Sequence, residues 1–109
     1  MRGTMRVIRP DGSISTRHFY DQHVSLDDLK QAVGGYIEIV PHFHVLEFGG
    51  QIDRCIVLCN EEGKLHDMPI NAVATALWRH SVPAELVGND VLVGPVAILT
   101  GDGSFLSNV

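Results

Sequence analysis

Two histidines separated by a single residue, His42 and His44, are the first pair in this chain with metal-ligand chemistry. On an extended backbone, residues two apart face the same side, so both imidazoles would approach one ion such as Zn²⁺. A third ligand would have to come from Cys55, Cys59, His66 or Asp67, and nothing in the spacing makes them meet. The competing reading, two partly exposed histidines on a strand edge or loop, is the one this short pattern favours.

The run Asn60-Glu61-Glu62-Gly63-Lys64 is the second candidate. Paired carboxylates divide acid and base roles when their environments separate their pKa values. Consecutive carboxylates in a turn normally stay solvated, and Gly63 has a sufficient backbone reason in its permissive φ. Binding residues also concentrate on loops carried by a rigid scaffold. Asn60, Glu61, Glu62 and Lys64 are therefore taken as candidate ligand contacts. Asn71, at the start of the helix that follows, joins them, since the free amides of a helix start attract anions. No glycine-rich loop precedes it.

Cys55 and Cys59 bound an apolar run, and Glu61 and Glu62 follow the second thiol. A reactive thiol needs an electropositive, accessible surrounding. Both cysteines therefore read as small buried hydrophobes. Four residues of strand put their Cα atoms about 13 Å apart, beyond disulfide reach, which suits a reducing cytoplasm. There is no Walker loop, dinucleotide fingerprint, Gly-x-Ser-x-Gly elbow or His-Glu-x-x-His helix, and no cofactor is expected.

The elements that must position these residues follow from the apolar pattern. Thr4 to Arg9 and Ile14 to Phe19 read as strands of a hairpin around the Pro10-Asp11-Gly12-Ser13 turn. Ser25 caps a short helix whose Leu26, Leu29 and Val33 would pack on the sheet, and Gly34 ends it. Tyr36 to Val40 is strand-like. From Pro41 to Gly50 the strand either continues or folds back. Arg54 to Cys59, apolar on both faces, reads as a covered central strand leading into a tight turn at Asn60 to Lys64. Pro69 and the cap Asn71 introduce a second helix with Ile70, Val73, Ala74, Leu77 and Trp78 as its apolar stripe. Trp78, at the edge of that stripe, is the residue to share with a partner surface. Asp90 to Val93 and Pro95 to Thr100 return as strands, with fraying after Gly101 to Ser104. The expected fold is α+β, one small domain over residues 1–109. Its sheet is mixed and mainly antiparallel with two helices, in the order β-β-α-β-β-α-β-β.

The chain has 109 residues, enough for one core. Its formal charge of −5 disfavours nucleic acid, whose binding draws on neutralised phosphates. The longest apolar run, Val91 to Leu99, falls well short of the roughly 20 residues a membrane helix needs. No signal-peptide-like stretch opens the chain, and a cytoplasmic location is expected.

Three stretches carry a resemblance: Gly34-Gly35-Tyr36-Ile37-Glu38-Ile39-Val40, Val57 to Leu65 with Pro69 and Asn71 after it, and Asn89 to Val96. In this order and spacing the chain resembles the family catalogued as domain of unknown function 3846, over about residues 5–100. The resemblance implies a compact α/β domain often encoded by phages or mobile elements, and it implies no activity. The segment from Pro41 to Arg54 departs from that pattern. The leading expectation is an accessory protein that binds a host protein or a small ligand. The alternative is a small metal-dependent hydrolase using His42/His44 and Glu61/Glu62. Self-association through exposed sheet edges is a third reading.

Overall fold

The first hairpin forms where alternation and turn chemistry place it. In the computed structural model, which describes residues 2–107 and 109, β1 (Gly3–Ile8) and β2 (Ile14–Phe19) pair antiparallel, with Ile8 opposite Ile14. Arg9 N–H donates to Ser13 O at 2.9 Å, and Ser13 N–H donates to Asp11 Oδ1 at 2.8 Å, closing the turn.

Helix α1 (Leu26–Val33) begins with a reciprocal cap. The Ser25 hydroxyl accepts from Asp28 N–H at 3.0 Å, and Asp28 accepts from Ser25 N–H at 3.3 Å. Gly34 ends it in the left-handed conformation. Leu29 and Val33 are buried, but Leu26 is exposed. The helical wheel puts Leu26 on the same face as Val33, so its exposure comes from its place in the first turn.

Strands β3 (Ile37–Ile39) and β4 (Val45–Phe48) both lie along one border of the long β5 (Gln51–Asn60). Ile39 faces Leu58 and Val45 faces Arg54, so residues 40–44 on one side match only residues 55–57 on the other. Hydrogen bonds from Val40 N–H to Val57 O and from Cys55 N–H to His44 O bracket this two-residue excess. The extra backbone loops out and drops Phe43 into the core, where it is 1% exposed. The strand therefore folds back, with Gly49 and Gly50, both at positive φ, making the two-residue turn into β5.

Strand β6 (Val96–Gly101) sits between β1 and β5, giving the order β2-β1-β6-β5-β3 with β4 also on β5. Every pairing among these strands is antiparallel. The sheet carries a core on each face. Cys55, Val57, Val96 and Ile98 point to the side of Phe43 and Trp78. Leu58, Ala97 and Leu99 point to the side of Leu29, Val33 and Phe105. The middle of β5 is thus covered on both faces, as its unbroken apolar run implied.

Three expectations change. Asp90 to Val93 is not a strand; only Val93 makes an isolated bridge, to Ile70. Its backbone groups are held by the second helix instead. Asn71 N–H donates to Leu92 O at 2.8 Å, and Leu92 N–H donates to Thr75 Oγ1 at 3.0 Å. Two short helices also appear, α3 (Ala84–Val87) and α4 (Gly103–Leu106), the latter where fraying was expected. Asp102 caps α4 by accepting from Phe105 N–H at 2.8 Å, and Phe105 is buried. The element order is thus β1-β2-α1-β3-β4-β5-α2-α3-β6-α4.

The third change concerns α2 (Ala72–Ser81). Ile70 and Val73 are exposed, and the inward residues are Asn71, Ala74, Thr75 and Trp78. The buried face is turned about one residue from the apolar stripe because polar Asn71 and Thr75 are needed inside. They hold the 92–94 segment against the sheet.

Candidate functional site

The turn after β5 brings several of the expected contacts to one place. Asn60 is buried, its Nδ2 donating to Val33 O at 3.1 Å and its Oδ1 accepting from Glu62 N–H at 2.8 Å. This ties the turn to the end of α1 and presents Glu61 and Lys64 beside the β3 border. Across from them runs the 90–93 segment, held by Arg79, whose guanidinium donates to Asp90 O at 3.0 Å. Between the two lies a cleft of about 200 Å³. Glu38, Glu61, Lys64 and Asp90 give it charge. Ile39, Val40, Pro41, Leu92 and Val93 give it apolar wall, and Trp78 and Cys59 also line it.

The electrostatics are lopsided. Lys64 pairs with Asp90, which holds the Asp90 carboxyl below its ordinary range. Among the described residues no ion pair engages Glu38 or Glu61. Burial pushes the Cys59 thiol up to about 11, and the charges of Glu38 and Asp90 add to this against the opposing Lys64. Burial likewise raises Cys55 to about 11. Both thiols are free, and burial favours their protonated form, the opposite of the surroundings that activate a thiol nucleophile.

Trp78 departs from its expected role. It is 2% exposed rather than shared with a partner surface. Its indole N–H is buried without a hydrogen-bond partner, one of two such side-chain groups among the described residues, the other being the Ser81 hydroxyl. Indole N–H groups usually find an acceptor when buried, and this one is shut inside the core beside the cleft.

Other expected residues lie elsewhere. Glu62 is outside the cleft lining, with its carboxylate 2.8 Å from His66 Nε2. Asn71 is fully buried and committed to the fold. Its Nδ2 donates to Ile8 O at 2.8 Å and Gly94 O at 2.9 Å, and its Oδ1 accepts from Ala74 N–H at 3.1 Å. The start of α2 is therefore capped from within and presents no open anion site.

His42 and His44 flank the buried Phe43, but His42 has φ 65°, so the segment is not extended as a shared metal site requires. Neither histidine lines the cleft; His44 borders a separate hollow with Cys55 and Leu106. No group of three or more His, Cys, Asp or Glu residues able to hold a metal occurs among the described residues. No described helix is long and apolar enough to cross a membrane.

The fold and cleft define a small antiparallel sheet domain with short helices on both faces and a mixed-charge hollow at one sheet border. The chain belongs to the family described as Domain of unknown function (DUF3846), whose model matches residues 3–108. That span adds the first two residues of β1 and all of α4 to the region the resemblance had covered. No curated protein and no solved structure matches the chain.

Proposed function

We propose that this domain is a non-enzymatic accessory protein, of phage or mobile-element type, that takes a small ligand into the cleft beside β3. It acts in the cytoplasm, where two free thiols persist. The observation that carries this reading is the cleft itself, which gathers Asn60, Glu61 and Lys64 against an apolar wall of Ile39, Val40, Leu92 and Val93. The volume, about 200 Å³, is below the roughly 300–1,000 Å³ of drug-sized pockets, which favours a fragment-sized occupant. The hydrolase alternative needs His42 and His44 to meet Glu61 and Glu62. Of these four, only Glu61 lines the cleft.

Trp78 is the protein's single tryptophan, so its fluorescence reports directly on the site. A thermal-shift screen of small polar compounds, followed by fluorescence titration, tests the proposal. Ligand at a hundred times its Kd stabilises the fold by about 2.7 kcal/mol, a plain shift in Tm. Glu61 lines the cleft and is exposed, so Glu61→Gln should alter the affinity of any hit while the domain still unfolds cooperatively. A screen that yields no shift, or hits indifferent to Glu61→Gln, overturns the reading.

A further inference from the structure

We infer that a second hollow, on the sheet face beside β2, is a binding site for a free amino acid with an aliphatic side chain. The inference goes beyond the cleft at β3 and does not rest on it, since the two hollows share no lining residue.

The pleat of the sheet builds this site. Arg6 and Ile8 of β1 point to one face, and Ile98 of β6, opposite Arg6, shares it. Asp53 lies two residues before Cys55 on β5, opposite Leu46 on β4, and so faces the same side. Helix α2 is pinned to the Ile8 end of this face through Asn71, and its half-buried Leu77 reaches the hollow. The space left open has a volume of about 270 Å³.

Two opposite charges line it, and neither is neutralised. Arg6 is half-buried on an inner strand, where a charge normally has a charged partner. Its guanidinium donates to Thr100 Oγ1 at 3.3 Å, an uncharged hydroxyl, and no ion pair engages it among the described residues. The Asp53 carboxylate has neither a hydrogen bond nor an ion pair among those residues, with Arg6 or any other. Its charge reaches the inner side of β5, where it adds to burial in raising the Cys55 thiol. The rest of the lining is largely apolar, with Ile8, Leu46, Leu77 and Ile98.

A free amino acid carries the matching set in one small molecule. Its carboxylate suits the Arg6 fork, its ammonium suits Asp53, and its side chain suits the apolar lining. A peptide end brings only one of these charges, and a simple acid leaves Asp53 unmet. The volume lies just under the roughly 300–1,000 Å³ of drug-sized pockets, which fits an occupant of this size.

Three probes of one shape separate the terms. Leucine carries both charges, 4-methylpentanoate lacks the ammonium, and 3-methylbutylamine lacks the carboxylate. Binding is measured by calorimetric titration and by Tm. Leucine should bind about tenfold more tightly than either single-charge probe. Asp53→Asn should abolish its advantage over 4-methylpentanoate, and Arg6→Gln its advantage over 3-methylbutylamine. Asp53 is exposed, so its variant should fold and keeps the test decisive even if Arg6→Gln does not. Alanine should bind more weakly than leucine, and equal binding would remove the role given to the apolar lining. Equal binding of leucine and 4-methylpentanoate overturns the zwitterion assignment, as does equal binding of leucine and the amine. Glu61→Gln, which alters the cleft at β3, should leave leucine binding unchanged; a loss there would place leucine in the cleft and overturn the site. Absence of leucine binding at millimolar concentration ends the inference, and the small-ligand reading of the cleft stands or falls on its own screen.

Discussion

The side-chain amide of Asn71 donates to the carbonyl oxygen of Ile8 at 2.8 Å, joining the start of α2 to the end of β1 across 63 positions of chain. The same amide holds Gly94 O, and its oxygen caps α2 through Ala74 N–H. Three buried backbone groups thus depend on one side chain. Asn71→Ala should destabilise the domain by about 3 kcal/mol, combining a lost cap with carbonyls left unpaired in the interior. Asn71→Asp keeps the cap but sets a carboxylate against two carbonyls, so it should be no more stable than the alanine variant. Urea unfolding measures both, and a loss under about 1 kcal/mol for Asn71→Ala would sink this account.

Gly3 gives a second expectation. A β-carbon there would lie 2.1 Å from Phe105 Cδ2, because α4 folds its ring onto the first strand. Gly3→Ala should therefore cost about 1–3 kcal/mol by overpacking. Phe105→Ala clears the space, so the two substitutions together should cost less than their sum. Strict additivity in a double-mutant cycle would show that the ring does not sit where described.

A third expectation concerns pH. Asp28 is held below the usual carboxylate range, first by the Ser25 hydroxyl and then by Arg17, whose guanidinium lies 3.0 Å away. Asp90 is lowered by Lys64, and Asp102 by the backbone amides of Phe105 and Arg2. Groups with depressed pKa values stabilise the fold above their unfolded value, about 3.9 for Asp, and lose that contribution as pH falls through the native value. Unfolding midpoints should drop below about pH 4. Asp28→Asn should flatten that acid limb. The thiols work in the opposite sense: raised from 9.0 to about 11, they stabilise below pH 9 and lose that contribution as pH climbs toward 11. An acid limb unchanged in Asp28→Asn would contradict the capping-box account.

What the sequence made legible was local. The Pro10–Ser13 hairpin, the Ser25 cap, the Gly34 stop and the covered middle of β5 each follow from a few neighbouring residues with one dominant preference. The inward face of α2 was not legible, because Asn71 and Thr75 go inside to bond with the 92–94 segment, and an apolar stripe carries no trace of such bonds. The same partnership explains why Asp90 to Val93, apolar and β-branched, fails to form a strand. Of the candidate site, the Asn60, Glu61 and Lys64 contacts were visible as a polar loop. Their opposite wall was not, since Trp78 and Asp90 arrive through tertiary packing.

The two-residue excess between β3 and β4 has a consequence beyond seating Phe43. One border of the sheet is interrupted midway, with His42 in a left-handed conformation, so it lacks an even row of free amides and carbonyls along which a foreign strand could dock. The opposite border, β2, is an unbroken six-residue strand. The domain is therefore guarded against strand-by-strand accretion on the side where its cleft opens, and any templating of further chains falls to the far side.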